Sequence, residues 1–350
     1  VPQIVQFSRP GVVELVDCPP QALTSGHARV RTWYSGISTG TELTAYQGSN
    51  PYLTKSWDSD RRLFTAGEPT FTYPVIGWGY SEVGEIVEVA DDVTGLMPGE
   101  LVYGVWGHRS DAVVRAGALT MQKLPGGVEP VHGVFARVGA VALNAVLAAE
   151  PHLGEHIAVF GQGVIGLLAG QLARLSGGRV IVVDALENRL QLALRLGAAG
   201  VVRADTPAGA GEAVRGLTGD VGVDAAIELS GSYRALHEAV RCVVADGLVV
   251  AAGFYQGDGQ GLRLGEEFHH NQVRIVASQI GGTPASLGPR WSQGRLVSVF
   301  MGQLAAGVVD VAPLITHVVD ASEVAPAFAI LADNPAEALQ VVLSFSAAPG

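Results

Sequence analysis

Cysteine is scarce in this chain: Cys18 and Cys242 are the only two among 350 residues and lie far apart. That spacing excludes a disulfide framework and a thiolate metal cluster, and a reducing cytoplasm is the expected compartment. Positive charge is scarce too, with 22 Lys and Arg against 33 Asp and Glu and a formal net charge of −11. Binding a polyanion requires a basic surface that releases counterions, so nucleic acid is not an expected partner. No apolar run reaches the roughly 18 uninterrupted residues of a membrane span. The chain opens without the basic-then-apolar pattern of an export signal, and neither a membrane partner nor export is expected. Internal repeats and low complexity are missing as well, because the 46 glycines and 18 prolines follow no period.

What remains is a chain that is 48% apolar and only 16% charged, the composition of a well-buried globular protein. Its length exceeds one comfortable core, so two domains are expected. The first 125 residues alternate short β-rich runs (His27 to Tyr34, Ser81 to Val89, Leu101 to Val105, Asp111 to Val114) with Gly, Pro and Asp. From about Gly133 a helical stretch runs through Ala149. Apolar strands then alternate with helices at Ile157 to Phe160, Val180 to Val183, Gly200 to Val202, Ala225 to Glu228, Gly247 to Ala252 and Arg274 to Gln279. Such α/β order implies a parallel sheet covered on both faces. A helix around Arg295 to Ala306 and β-like stretches at Ile315 to Val319 and Leu339 to Phe345 read as a return to the first domain. The segment Asn50 to Pro69 shows no period and reads as a long functional or disordered loop.

The motif Gly161-Gln162-Gly163-Val164-Ile165-Gly166 directly follows the strand ending at Phe160 and opens a helix. At a strand-to-helix junction the three glycines serve a tight turn, close approach to a pyrophosphate and helix-to-strand packing. The helix N-terminus adds N–H donors and positive potential. Asp184 ends the next strand, where its carboxylate can accept from ribose hydroxyls and repel a 2′-phosphate. Arg189 is a counter-signal, although a basic residue there can also cover the adenine. NAD(H) is therefore expected over NADP(H). Later strand ends complete the cleft through Ser230-Gly231, Ala252-Gly253-Phe254 and Gln279-Ile280.

With these motifs stand Gly36-Ile37 with Gly40-Thr41-Glu42, the run Ser81 to Val89, and Pro98-Gly99-Glu100-Leu101-Val102. Together they resemble the medium-chain dehydrogenase/reductase family of zinc-type alcohol dehydrogenases over almost the whole length. The resemblance implies an α/β fold, with a GroES-like β-rich catalytic domain (1–125 and 282–350) and a Rossmann domain with a doubly wound parallel sheet (126–281). It also implies a homodimer paired through the last Rossmann strand, Arg274 to Gln279. In the family, catalytic zinc is held by a Cys, a His and a third Cys or acid. Here Ser38 or Thr39 stands at the Cys position, Trp78-Gly79 replaces His-Glu, and Arg137 replaces the acid, where a cation opposes zinc. The four-cysteine structural lobe is absent, so no metal is expected. Ile37 to Glu42 and Phe268-His269-His270-Asn271 look most like a subgroup around bacteriochlorophyllide hydroxyethyl dehydrogenase, which also includes sugar, cyclitol and natural-product enzymes.

The expected activity is zinc-independent interconversion of a secondary alcohol and a ketone on a cyclic or polyhydroxylated small molecule, in bacterial biosynthesis. Reduction of an activated C=C bond and a non-catalytic nucleotide-binding protein are the alternatives. Without a metal, side-chain donors must stabilise the alkoxide and deliver the proton. Thr41 matches the family's proton-relay hydroxyl, and it could equally be a turn threonine. Glu42 matches the acid behind the metal, as an acid-base group or a structural ion pair. His108 is a proton donor or a surface-turn histidine. Trp78 and Tyr80 either wall the vacated metal corner or fill it, with the Tyr80 phenol as donor. Further pocket candidates are Ser38, Thr39, Trp57, Trp106, Asn144 on the helix before the nucleotide motif, and Trp291.

Overall fold

The computed structural model describes residues 1–345, so residues 346–350 of the expected C-terminal return lie outside the described residues. The chain divides into two compact units: Val1–Arg137 joined by the segment from Leu314 onward, and Val138–Pro313. Both borders fall later than the expected 125 and 281, each because of a packing partner. The 3-10 helix Pro130–Val134 packs on the strands His27–Gly36, Glu82–Val89 and Leu101–Gly104. Its Gly133 lies so close to Val83 that a Cβ would come within 2.5 Å of that side chain. The helix Gln293–Ala305 buries Phe300 directly over Gly139 of the helix Phe135–Ala148, where a Cβ would meet the ring at 2.3 Å. It therefore stays with the α/β unit.

In the α/β unit six parallel strands run in the order Gly200–Arg203, Arg179–Asp184, His156–Phe160, Val223–Glu228, Val243–Ala251, Arg274–Ala277. By chain position that is third, second, first, fourth, fifth, sixth, the doubly wound arrangement whose strand order reverses beside the first strand. Strands buried on both faces lose the polar alternation of a surface sheet. Val180 to Val183 are accordingly all buried, as are Ile157 to Phe160. One core cluster joins Phe160, Ile181, Val183 and Val249 to Leu236 and Val240 of the helix Tyr233–Cys242.

The β-rich unit holds a six-stranded sheet in which His27–Gly36 is central. It pairs with Glu82–Val89, Gln340–Ser344 and Asp111–Arg115. Gln3–Arg9, Val12–Asp17 and Val75–Ile76 make a second, three-stranded sheet. Its core includes Phe7 and Phe328, edge to face at 5.2 Å, the latter on the helix Val324–Asp333. The segment read as a long functional or disordered loop is ordered, with a 3-10 turn, Pro51–Leu53, and an antiparallel hairpin, Ser56–Asp58 with Leu63–Thr65. The cross-strand contact Trp57–Phe64 (4.8 Å) and the loop contact Tyr52–Phe71 (5.2 Å) hold it, and such contacts carry no sequence period. Among the described residues one helical stretch, Pro130–Ala148, is long and apolar enough to span a bilayer, yet 72% of its apolar window is buried in the protein.

Candidate active site

The β-rich unit gathers hydroxyls and charges where the strand His27–Gly36 runs into the short helix Glu42–Gln47. Ser38 Oγ and the Tyr80 phenol hydrogen-bond to each other. Thr41, exposed at the N-cap of that helix, donates its backbone N–H to Ser38 Oγ at 3.4 Å. Burial pushes the phenol up to about 12, the Glu42 carboxylate adds to the rise, and Ser38, Thr41 and Arg137 pull the other way. Tyr80, rather than Trp78, is thus the aromatic that meets Ser38. Trp78 lies edge to face on Phe71 at 5.3 Å and packs against the core.

Behind this pair runs a buried polar chain. Glu42 Oε2 accepts from the Ser38 backbone N–H at 3.0 Å and from His108 Nε2 at 2.7 Å, while Glu42 Oε1 is buried with no hydrogen-bond partner among the described residues. With the imidazole protonated, Nδ1–H donates to Ser35 Oγ at 2.5 Å, and Ser35 donates on to Glu82 Oε1 at 3.2 Å. Glu82 Oε2 accepts from the Trp106 backbone N–H at 2.8 Å. Burial pulls the His108 pKa down, but the charge of Glu42, its hydrogen bond and the charge of Glu82 together raise it above the ordinary value. Burial raises Glu82, with the charge of His108 opposing. His108 is 0% exposed and both its nitrogens are engaged. It is neither a surface-turn histidine nor a group that can reach a small molecule directly.

Other expected pocket residues are placed differently. Trp106 is a core residue, its indole donating to Thr32 Oγ1 at 2.9 Å beneath Gly104. Trp57 belongs to the hairpin, and Thr39 is exposed. In the α/β unit, Trp291 stacks under Arg295 at 4.6 Å. Asn144 is buried and donates to Ser278 Oγ (3.1 Å) and the Gly282 carbonyl (3.2 Å), so it anchors the loop that carries Gln279 and Ile280.

At the nucleotide motif the three glycines have three different surroundings. Gly161 has φ +85°, and a Cβ there would meet the Ser230 backbone at 2.8 Å. Gly163, the N-cap of the helix Val164–Leu175, faces open space. At Gly166 a Cβ would fall 1.8 Å from the Gly161 carbonyl. The turn is tight, its second glycine leaves room for a ligand at the helix N-terminus, and the third permits helix-to-strand contact. These features fit a dinucleotide pyrophosphate. Val164 is buried and Ile165 half-buried in the first turn of that helix. Asp184 accepts from the Gln162 N–H (2.5 Å) and the Leu186 N–H (2.8 Å), which aims its carboxylate across the turn. Gln162 turns its side chain inward to the Val159 carbonyl and offers a ligand nothing. Burial lowers the Arg189 guanidinium, with the charge of Asp184 opposing.

Two acid-bearing features escaped the sequence reading: Ser35 with Glu82, and Glu228. Glu228 accepts from the Ser230 N–H (2.7 Å) and Gly231 N–H (3.1 Å), and from the Ser230 and Tyr255 hydroxyls. It thereby shapes Ser230-Gly231, whose backbone abuts Gly253 while Phe254 is exposed beside it. The available signal was a carboxylate at the end of an apolar strand, a position that is costly without partners.

The family profile described as zinc-binding dehydrogenase matches residues 164–292. D-guloside 3-dehydrogenase of Shigella flexneri is 29% identical over 319 residues, covering 89% of this chain and 90% of that protein. L-threonine 3-dehydrogenase of Streptomyces avermitilis is 29% identical over 334 residues, covering 86% and 87%. The fold matches that of 2R,3R-butanediol dehydrogenase from Bacillus subtilis at a TM-score of 0.79, with 19% identity over 98% of this chain and 99% of that one. The chain is thus similar to zinc-type alcohol-dehydrogenase-like proteins, through the profile over its α/β unit and through these relatives over most of its length. The relatives named are dehydrogenases.

Proposed function

We propose that the protein is a zinc-independent, NAD(H)-linked oxidoreductase that interconverts a secondary alcohol and a ketone on a cyclic or polyhydroxylated small molecule. The observation that carries this reading is the Ser38–Tyr80 hydroxyl pair set against Glu42 and Arg137. That corner offers two hydroxyls already bonded to each other, a cation, and a carboxylate committed to His108. Such a donor set does not fit zinc, which takes thiolate, imidazole and carboxylate in tetrahedral array. A guloside is a polyhydroxylated ring, so the name of the Shigella relative supports the substrate class. The carboxylate of Asp184, held by the Gln162 N–H of the glycine turn, supports NAD(H), because it repels a 2′-phosphate.

When bound, NAD(H) carries the hydride. The chain's own residues handle the oxygen. In the reducing direction the Tyr80 O–H donates its proton to the carbonyl oxygen as charge develops there, and Ser38 Oγ–H supplies a second hydrogen bond. A phenol held up at about 12 keeps its proton at neutral pH and yields it only to a stronger base such as a forming alkoxide. Arg137 steadies the resulting phenolate, and the exposed hydroxyl of Thr41 returns a proton from solvent. In oxidation the same steps run backwards. Glu42 and His108 hold the Ser38 backbone and so position the pair.

Replacing Tyr80→Phe is expected to lower kcat about 10²- to 10⁴-fold, with the affinity for NADH, read by fluorescence titration, unchanged. Full turnover in Tyr80→Phe rejects the phenol as donor. With deuterium-labelled NADH and a panel of cyclic ketones, the label is expected on the carbinol carbon. Label on a β-carbon instead means C=C reduction, and binding without turnover on any carbonyl, alcohol or enone means a non-catalytic nucleotide-binding protein.

A further inference from the structure

We infer that His237, Glu266 and Glu267 form a binding site for one divalent transition-metal ion in the α/β unit. The three residues bring one ligand atom each within 4.8 Å of one another. His237 sits on the helix Tyr233–Cys242, whose Leu236, Ala239 and Val240 are buried in the core, and it is itself 5% exposed. An imidazole so buried ordinarily hydrogen-bonds both ring nitrogens. Here Nδ1 has no partner among the described residues, and Nε2 approaches Glu266 Oε2 at 3.8 Å, too long for a hydrogen bond. Glu267 Oε1 accepts from Arg241 Nε at 3.3 Å, but Oε2 is buried with no partner. Two buried, unpartnered polar atoms therefore belong to the same three-residue group.

Local backbone geometry adds to this. Adjacent residues of a regular helix point in different directions. In the segment Leu264–Phe268, Glu266 leaves helical geometry (φ −96°, ψ −126°), and the consecutive carboxylates reach the same histidine. Charge favours a cation as well, since among the described residues the ion pairs of Glu212, Glu238, Glu266 and Glu267 are made with two guanidiniums, Arg241 and Arg263, and with His237 itself. Arg263 holds Glu266 at 3.3 Å from an exposed position and is readily displaced. One imidazole and two carboxylates suit Zn²⁺, Mn²⁺ or Fe²⁺, leaving positions for water. Bound metal would tie the helix Tyr233–Cys242 to the segment ahead of the strand Arg274–Ala277. A metal assay on the whole protein would then report an ion that has no part in hydride chemistry.

The full chain, stripped with chelator and titrated with Zn²⁺ by calorimetry, is expected to bind about one equivalent. Glu266→Gln, at an exposed position that leaves folding intact, should weaken binding by at least about tenfold, and His237→Gln should abolish it. Zinc should raise the Tm of the wild type and leave that of His237→Gln unmoved. Absence of binding to the wild type, or equal binding by wild type and Glu266→Gln, overturns the site. Activity lost on stripping would instead count against zinc-independent catalysis, so the two readings fail separately.

Discussion

At the scale of single residues, the buried pair Glu42–His108 makes the clearest demand. A charge pair taken out of water is held only while both partners stay, and removing one costs about 3–5 kcal/mol. Because the folded pKa of His108 lies above its ordinary value, the stability it contributes is fully present below about pH 6.5 and is lost as pH rises through the folded value. Glu82, also raised, acts in the same direction from its own lower range upward. The Tm difference between wild type and His108→Gln should therefore narrow from about pH 6 to about pH 9 in scanning calorimetry. A difference that stays constant or widens would mean that the imidazole is neutral in the fold. Glu42 and His108 were visible as polar residues in short motifs, but their partnership was not, since 66 residues of chain separate them.

At the scale of elements, the strand, turn and helix of the nucleotide motif were legible because each glycine meets a local constraint. The two substitutions that separate those constraints are Gly166→Ala and Gly163→Ala. The first drives a Cβ into a backbone carbonyl at 1.8 Å, and folding of the unit should fail or Tm fall by many degrees. The second puts a methyl into open space. Its Tm should stay within about 2 °C of wild type, consistent with a change below about 0.5 kcal/mol, while the NADH dissociation constant rises at least about tenfold. Equal NADH affinity in Gly163→Ala would show that no pyrophosphate approaches there. The hairpin at Ser56–Thr65 was illegible for the opposite reason: its strands have three residues each, and aromatic contacts rather than alternation hold them.

At the scale of the whole molecule, the strand Arg274–Ala277 ends the parallel sheet and pairs along one side alone among the described residues. Val276 on it is 39% exposed. An open, apolar strand edge invites pairing with a second copy. Light scattering is expected to give about twice the 36.3 kDa chain mass, and Val276→Lys should shift the protein towards monomer. A monomeric wild type would refute the homodimer.

Length, apolar patterning and the glycine motif by themselves determined the two-domain α/β plan and the site of the dinucleotide turn. Those signals are local: a strand of Val and Ile, a Gly that must turn, an acid at a strand end. The scarcity of cysteine was equally plain, because a rare residue type needs no fold to be noticed. Only the tertiary structure decided that Tyr80 and not Trp78 meets Ser38, that His108 is buried between Glu42 and Ser35, and that Trp106 is core. Each outcome depends on which side chain a strand or turn directs inward, and that is settled by packing between segments far apart in the chain.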